Sequence, residues 1–536
     1  MVWDFSDRPR TNVLWAGQSI PPETELFLKR LLFSTLDSSY VSNLKDDGFL
    51  RSVAAVVFVQ DESNPEAVIS NLKQHVKNLL DYDCLVIVLA ASKVKDTAVN
   101  NLAIITDALL SHQIPSLWPT SGDQFEGYDG QNKPYKCNIN GAPKPPLVFV
   151  YRDSLSVDII ANKLVSHNQR PVPAMDEPIS FKITGPGVDD FKSDHRLMLR
   201  RSFHDCTEVH ISTLKGGKSG IPVYIAHATK AEGRPLPFFV KVGSRNEIIR
   251  EWLNYNELVR PFIPFHLAPH LVPERCALGA HTGIIVGDFI EDAESLAECA
   301  RRGRAITSIS SLFDRTLRGW HRKPGRRSGK LYSVLRNLIL DRKNNFEPRY
   351  LNAQKLGAKF TLDELNAKLQ QRDTELQLWS HIHGDLHADN VHVRGGEAIL
   401  IDFLAGRKEG LLLGDHAALE VSLAIRVPRA DINNKFSNEE WARVVRPLYT
   451  LDTLRTLPSF PDPTEPYSWL AACIRQIRLY ALPMQRSKNQ YAHILAYYLL
   501  RAAIKDPMPK VSADEDFRRT MAYCLAEDLI LNTTPK

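Results

Sequence analysis

Between residues 383 and 403 the chain reads His383-Gly384-Asp385-Leu-His387-Ala-Asp389-Asn390-Val, then Ile399-Leu-Ile401-Asp402-Phe403. Two carboxylates and a carboxamide at this spacing can offer oxygens to a hard cation such as Mg²⁺, which takes a few protein oxygens together with substrate phosphates. The remaining carboxylate can orient or deprotonate a hydroxyl nucleophile. A hairpin would gather them. Residues 391–393 and 398–401 are short apolar stretches around Arg394-Gly395-Gly396-Glu397, a good turn, so Asn390 should lie near Asp402. Asp385, five residues before Asn390, falls on the loop that enters the hairpin. A loop of solvated acids is the plainer alternative, but it leaves unexplained the His-x-Asp, the step of five and the Ile-Asp-Phe twelve residues after Asn390.

This pattern resembles the aminoglycoside phosphotransferase and choline-kinase branch of the protein-kinase-like fold, whose signature is close to His-Gly-Asp-x-x-x-x-Asn followed by Ile-Asp-Phe. The likeness covers about 209–530, about three-fifths of the chain. It implies Asp385 as the catalytic base, His383 as the structural histidine of the catalytic loop, Asn390 and Asp402 as metal ligands, and ATP with Mg²⁺ as cofactors. His387 matches a common family position, or simply braces the loop.

Upstream, Phe238-Phe239-Val240-Lys241-Val242 sets one lysine inside an apolar strand, where an ammonium is costly unless paired. The resemblance gives Lys241 to nucleotide phosphates and to a glutamate of the next helix: Glu251 first, with Glu247 and Glu257 as alternatives. A surface strand with a snorkelling lysine would read the same way. Thr213-Leu-Lys215-Gly216-Gly217-Lys218-Ser219-Gly220 stands where the family's phosphate-covering loop belongs, and a plain hairpin turn fits it equally. It is no Walker motif, because Ser212 occupies the position of the first glycine. Gly283-Ile-Ile-Val-Gly-Asp288-Phe289-Ile290 resembles the strand and hinge of the family, whose backbone, here at Asp288 and Ile290, reads adenine. Asp415 resembles a later aspartate that opens a helix. An acid there is favourable on dipole grounds alone, so it reads as structural.

These residues need a scaffold. The first ~165 residues alternate strand and helix. Apolar runs at 53–59, 85–91 and 147–151, with 12–16 ahead of them, read as strands of a parallel three-layer α/β sheet. Strand order makes this part resemble a receiver or other flavodoxin-like module, with Asp61 where a phosphoaccepting aspartate would sit. Its first strand, however, ends in Gly17-Gln18 with no acidic pair for Mg²⁺, and the later strand is followed by Arg152. It reads as a receiver-like regulatory domain over 1–167 that acts through its surfaces. A linker at 168–180, containing Pro171, Pro173 and Pro178, precedes an α+β two-lobed kinase-like domain: an N-lobe over 181–292 and a large helical C-lobe over 293–536, helical apart from the hairpin near 391–401.

The 536 residues, 43% apolar and 24% charged, indicate an ordinary globular protein of several domains. Lys and Arg number 67 against 62 acids, too weak an excess to argue for nucleic acid. Seven scattered cysteines without a Cys-x-x-Cys suit a reducing compartment. With no bilayer-length apolar run and no signal-peptide pattern, a cytoplasmic location and no membrane partner are expected. One segment is out of balance: residues 301–330 carry ten Lys or Arg and a single acid, Asp314. That suits an acidic protein or nucleic acid as partner, or a mobile, solvated insert between lobes. The combination implies Mg·ATP-dependent phosphoryl transfer to a hydroxyl of a small molecule or protein. The pairing with a receiver-like domain resembles the ternary-complex-associated kinase-like domains of bacterial conflict systems. The alternatives are a nucleotide-binding pseudokinase scaffold in such a complex and binding of nucleic acid through 301–330.

Overall fold

Uninterrupted apolar runs become strands closed to water on both faces. In the computed structural model, Val53–Val59 and Leu85–Leu89 are strands in which every residue is buried. The structure describes residues 10–17, 19–30, 33–60, 65–90, 95–121, 124–128, 134–138, 148–151, 180–184, 193–203, 205–213, 223–230, 234–279, 281–340, 346–371, 374–426, 430–431, 434–435, 437–457, 459, 462, 464–504 and 513–533. Asp61, Arg152, Gly216, Gly217 and the linker residues 168–179 lie outside them.

The chain divides into two compact units, Met1–Arg250 with His270–Phe289, and Glu251–Pro269 with Ile290–Lys536. The first holds two sheets. Across the N-terminal one, the strands run Ser34–Leu36, Asn12–Ala16, Val53–Val59, Leu85–Leu89, Val148–Tyr151, Ser116–Ser121, Gln124–Tyr128 and Pro134–Asn138. Pairing is parallel as far as Ser116–Ser121 and antiparallel beyond. The first four strands in chain order follow the 2-1-3-4 of flavodoxin-like folds. The order then departs from a receiver, because Val148–Tyr151 inserts between the fourth strand and Ser116–Ser121. Helix Pro65–Asp81 packs Val68, Leu72, Val76, Leu79 and Leu80 on one face of this sheet.

The second sheet orders Ala277–Leu278, Thr282–Asp288, Leu236–Ser244, Val223–Thr229, Glu208–Thr213 and Ser180–Thr184, antiparallel except for the last pair. Helix Ser193–Ser202 ties the two sheets together. The Arg201 guanidinium donates to the carbonyls of Asp81 (2.6 Å) and Leu278 (3.0 Å), and Lys77 pairs with Asp194 at 3.2 Å. These contacts join the two sheets within the first unit.

The second unit is mainly helical around short sheets. Glu294–Ser295, Val391–Arg394 and Glu397–Leu400 make one. Gly325–Gly329, Glu375–Ile382 and Arg407–Leu411 make another, which corrects the expectation of a single hairpin. The periodicity missed it because Gly325–Gly329 is an exposed strand without one apolar residue. The 301–330 segment folds into helices and this strand, its last part exposed. Arg302 and Arg304 both pair with Glu294 (3.0 and 2.6 Å), Arg301 with Glu298, and Arg315 with Glu397. Deeper in, Arg478 and Glu420 form a fully buried ion pair at 2.6 Å, with the Tyr491 hydroxyl donating to the same carboxylate. No described helix is long and apolar enough to cross a membrane.

Candidate active site

The hairpin forms as its sequence dictates. Gly395 and Gly396 take φ of 59° and 82°, the two left-handed positions that a tight two-residue turn between twisted strands requires. Val391 pairs with Leu400, and the Ile401 amide donates to the Asn390 carbonyl at 3.0 Å. That bond sets Asp402 beside Asn390. Asn390, 7% exposed, turns its side-chain NH₂ to the Asp385 carbonyl at 3.0 Å. Its amide oxygen is then the atom left to serve as a ligand. Loop and hairpin are thus joined through one asparagine.

Two buried groups fix the loop backbone. Asp415, on helix Leu412–Val421 and 1% exposed, accepts the amides of His383 (2.7 Å) and Gly384 (3.0 Å). Burial pushes its carboxyl above the usual range, while neighbouring His383 and these two amides pull it back. Asp415 is structural, as expected, though through loop amides rather than a helix dipole alone. His383 is fully buried, and its Nε2 bonds the Ile401 carbonyl at 2.9 Å, so it braces the loop against the segment that leads into Asp402. Gly384, at φ 77°, could not be another residue: a Cβ would lie 2.4 Å from the Ala405 carbonyl oxygen.

Asp385 keeps a third of its side chain exposed, and Arg501 of helix Gln490–Ile504 meets its Oδ1 at 2.9 Å. His387 stands at ion-pair range between Asp385 (3.8 Å) and Asp389 (3.9 Å). Asp402 adopts φ 62°, a left-handed conformation unusual for a residue with a side chain. Asn254 holds the turn after it by donating to the carbonyls of Phe403 (2.8 Å) and Leu404 (3.3 Å). Arg501 and Asn254 escaped the sequence reading. Each is remote in sequence from the loop and carries no local pattern.

Lys241 lies on strand Leu236–Ser244, 3% exposed, between Val223 and Ile285 of the flanking strands. A snorkelling surface lysine is thereby ruled out. Of the three glutamates weighed, Glu247 caps its own helix by accepting the Ser244 amide (3.3 Å) and hydroxyl (2.5 Å). Glu257 is an exposed partner of Lys408 at 3.0 Å. Glu251 alone is buried, at 7% exposure. Asp288 ends strand Thr282–Asp288 with an exposed side chain, its amide bonded to the His270 carbonyl at 2.8 Å, and Ile290 follows half-buried.

Among the described residues no group of three or more His, Cys, Asp or Glu could hold a metal. The donor set Asn390 and Asp402, oxygen only and small, fits a Mg²⁺ whose shell is completed by phosphate and water.

No family model and no curated protein matches the sequence. Solved structures do align with it. The amicoumacin kinase hAmiN, in complex with AMP-PNP, Ca²⁺ and Ami, is 14% identical over 60% of this chain and 89% of its own, with a TM-score of 0.32. The aminoglycoside phosphotransferase APH(4)-Ia is 11% identical over 63% and 98%, with a TM-score of 0.36. Choline kinase from Cryptosporidium parvum is 12% identical over 65% and 91%, with a TM-score of 0.30. TM-scores this low do not establish a shared fold. The functional reading rests on the loop and hairpin.

Proposed function

We propose that the chain is a kinase-like phosphotransferase that uses Mg·ATP to phosphorylate a hydroxyl of a small molecule or protein. Asn390 carries this reading, because it binds the Asp385 carbonyl with its side chain and receives the Ile401 amide beside Asp402. Asp385 takes the proton of the acceptor hydroxyl as that oxygen bonds to the γ-phosphorus and ADP leaves. Asn390 and Asp402 would hold the cation, which offsets charge on the transferring phosphoryl group. Lys241 is assigned to nucleotide phosphates, with Glu251 as the acid that answers it, and the backbone at Asp288 and Ile290 to adenine. His383 serves the reaction as a positioning residue. The N-terminal sheet is assigned a regulatory part, acting through its surfaces.

The Arg501–Asp385 ion pair favours a second reading, a pseudokinase that binds nucleotide while its aspartate is already engaged. Incubating the full chain with γ-labelled ATP and a broad acceptor panel separates the two. Label transfer supports the enzyme, and Mg·ATP binding with neither transfer nor hydrolysis supports the pseudokinase. Asp402→Ala should remove metal-dependent nucleotide binding in calorimetry with the fold intact. Unchanged affinity in that variant sinks the site assignment.

A further inference from the structure

The strand that enters the catalytic loop, Glu375–Ile382, and the strand that follows Asp402, Arg407–Leu411, also wall a cavity of about 640 Å³ in the second unit. That volume is typical of small-molecule sites. Four cations line it, Arg322, Lys323, Arg327 and Lys408, against one acid, Glu409. Arg327 already meets Glu409 at 2.5 Å, and Lys408 meets Glu257 at 3.0 Å. Arg322 and Lys323 are exposed neighbours with no ion pair among the described residues. Two adjacent positive charges on a concave wall therefore await an anion.

The rest of the wall is aromatic. Phe262 is 40% exposed and meets the His381 ring edge-on, with centroids 4.7 Å apart. The Arg327 guanidinium lies over the Trp379 ring at 4.7 Å, which fixes both groups.

We infer that this cavity is a binding site for a small phosphorylated molecule bearing a planar ring. Its phosphate lies against Arg322 and Lys323, and its ring lies against Phe262. A nucleic-acid strand would call for a basic groove along which the backbone can track. Here the unanswered cations are two neighbours on the wall of one open cavity. The inference is independent of the catalytic assignment.

Phenyl phosphate is the minimal probe. Calorimetry on the full chain should show saturable binding, tighter than that of inorganic phosphate. Arg322→Ala with Lys323→Ala, both on the surface, should weaken it about tenfold or more. Phe262→Ala should erase the advantage over inorganic phosphate. Asp402→Ala should leave binding unchanged. No saturable binding, binding retained without the two cations, binding lost with Asp402, or tighter binding of an eight-residue oligothymidylate would each overturn the inference.

Discussion

The N-terminal sheet and the base of the loop at 383–403 are both buried, by opposite means. The sheet does it with apolar side chains, Ala54 to Phe58 and Val86 to Val88 all being at most 2% exposed. The loop does it with polar ones: His383 is wholly buried, Asp415 is 1% exposed and Asn390 7%, each hydrogen-bonded across the loop. Apolar burial is additive and forgiving, because another hydrophobe of similar volume fills the same space. Polar burial is conditional, because removing one partner strands the other. The first arrangement makes a scaffold, and the second holds atoms at fixed positions.

Four substitutions would break or sharpen that contrast. The largest effect is expected at Asp385→Asn, on the order of 10²-fold or more in turnover, with nucleotide affinity and melting temperature preserved. Steady-state kinetics beside calorimetry would show it. In the sheet, Ile87→Ala should cost about 2–5 kcal/mol in urea unfolding and leave kcat per folded molecule untouched. A fall in kcat there would mean that the sheet is more than a scaffold. Asp415→Asn should cost about 1–3 kcal/mol, since an amide side chain has one oxygen for two loop N–H groups. Unlike Ile87→Ala, it should lower kcat as well.

The smallest effect concerns mild acid. Burial holds His416 down to about 3, helped by neighbouring His321, and holds His321 itself down to about 4. Both therefore stay neutral in the folded chain at pH 5, while the unfolded chain takes up protons below about 6.5. The contribution of both is complete above that pH and is lost as pH falls from 6.5 towards 4 and below. Melting temperatures between pH 7 and pH 5 should decline, and His416→Gln should flatten the decline.

What the sequence shows of this molecule follows the same division. Apolar runs such as 53–59 and 85–89 announce their strands, and Gly395-Gly396 announces its turn, because each depends on neighbours in the chain. Asp385, Asn390 and Asp402 were legible because a hairpin is the shortest way to bring distant residues together. Arg501, which grips Asp385 from 116 positions away, and the Arg478–Glu420 pair were not, since only tertiary packing creates them. The charge of 301–330 was legible, but its pairing was not, for the same reason. Glu294, Glu298, Glu397 and Glu409 answer five of its arginines, and four of those five pairings reach beyond the segment's own helix.

Asp402 illustrates how a protein can be improved out of its purpose. Its backbone at φ 62° costs about 1–2 kcal/mol that glycine would not incur. A screen that rewarded only heat resistance would therefore be drawn to Asp402→Gly. The survivor would be a sturdier chain with the carboxylate gone from its hairpin. Aspartate at such a position is held at the expense of durability.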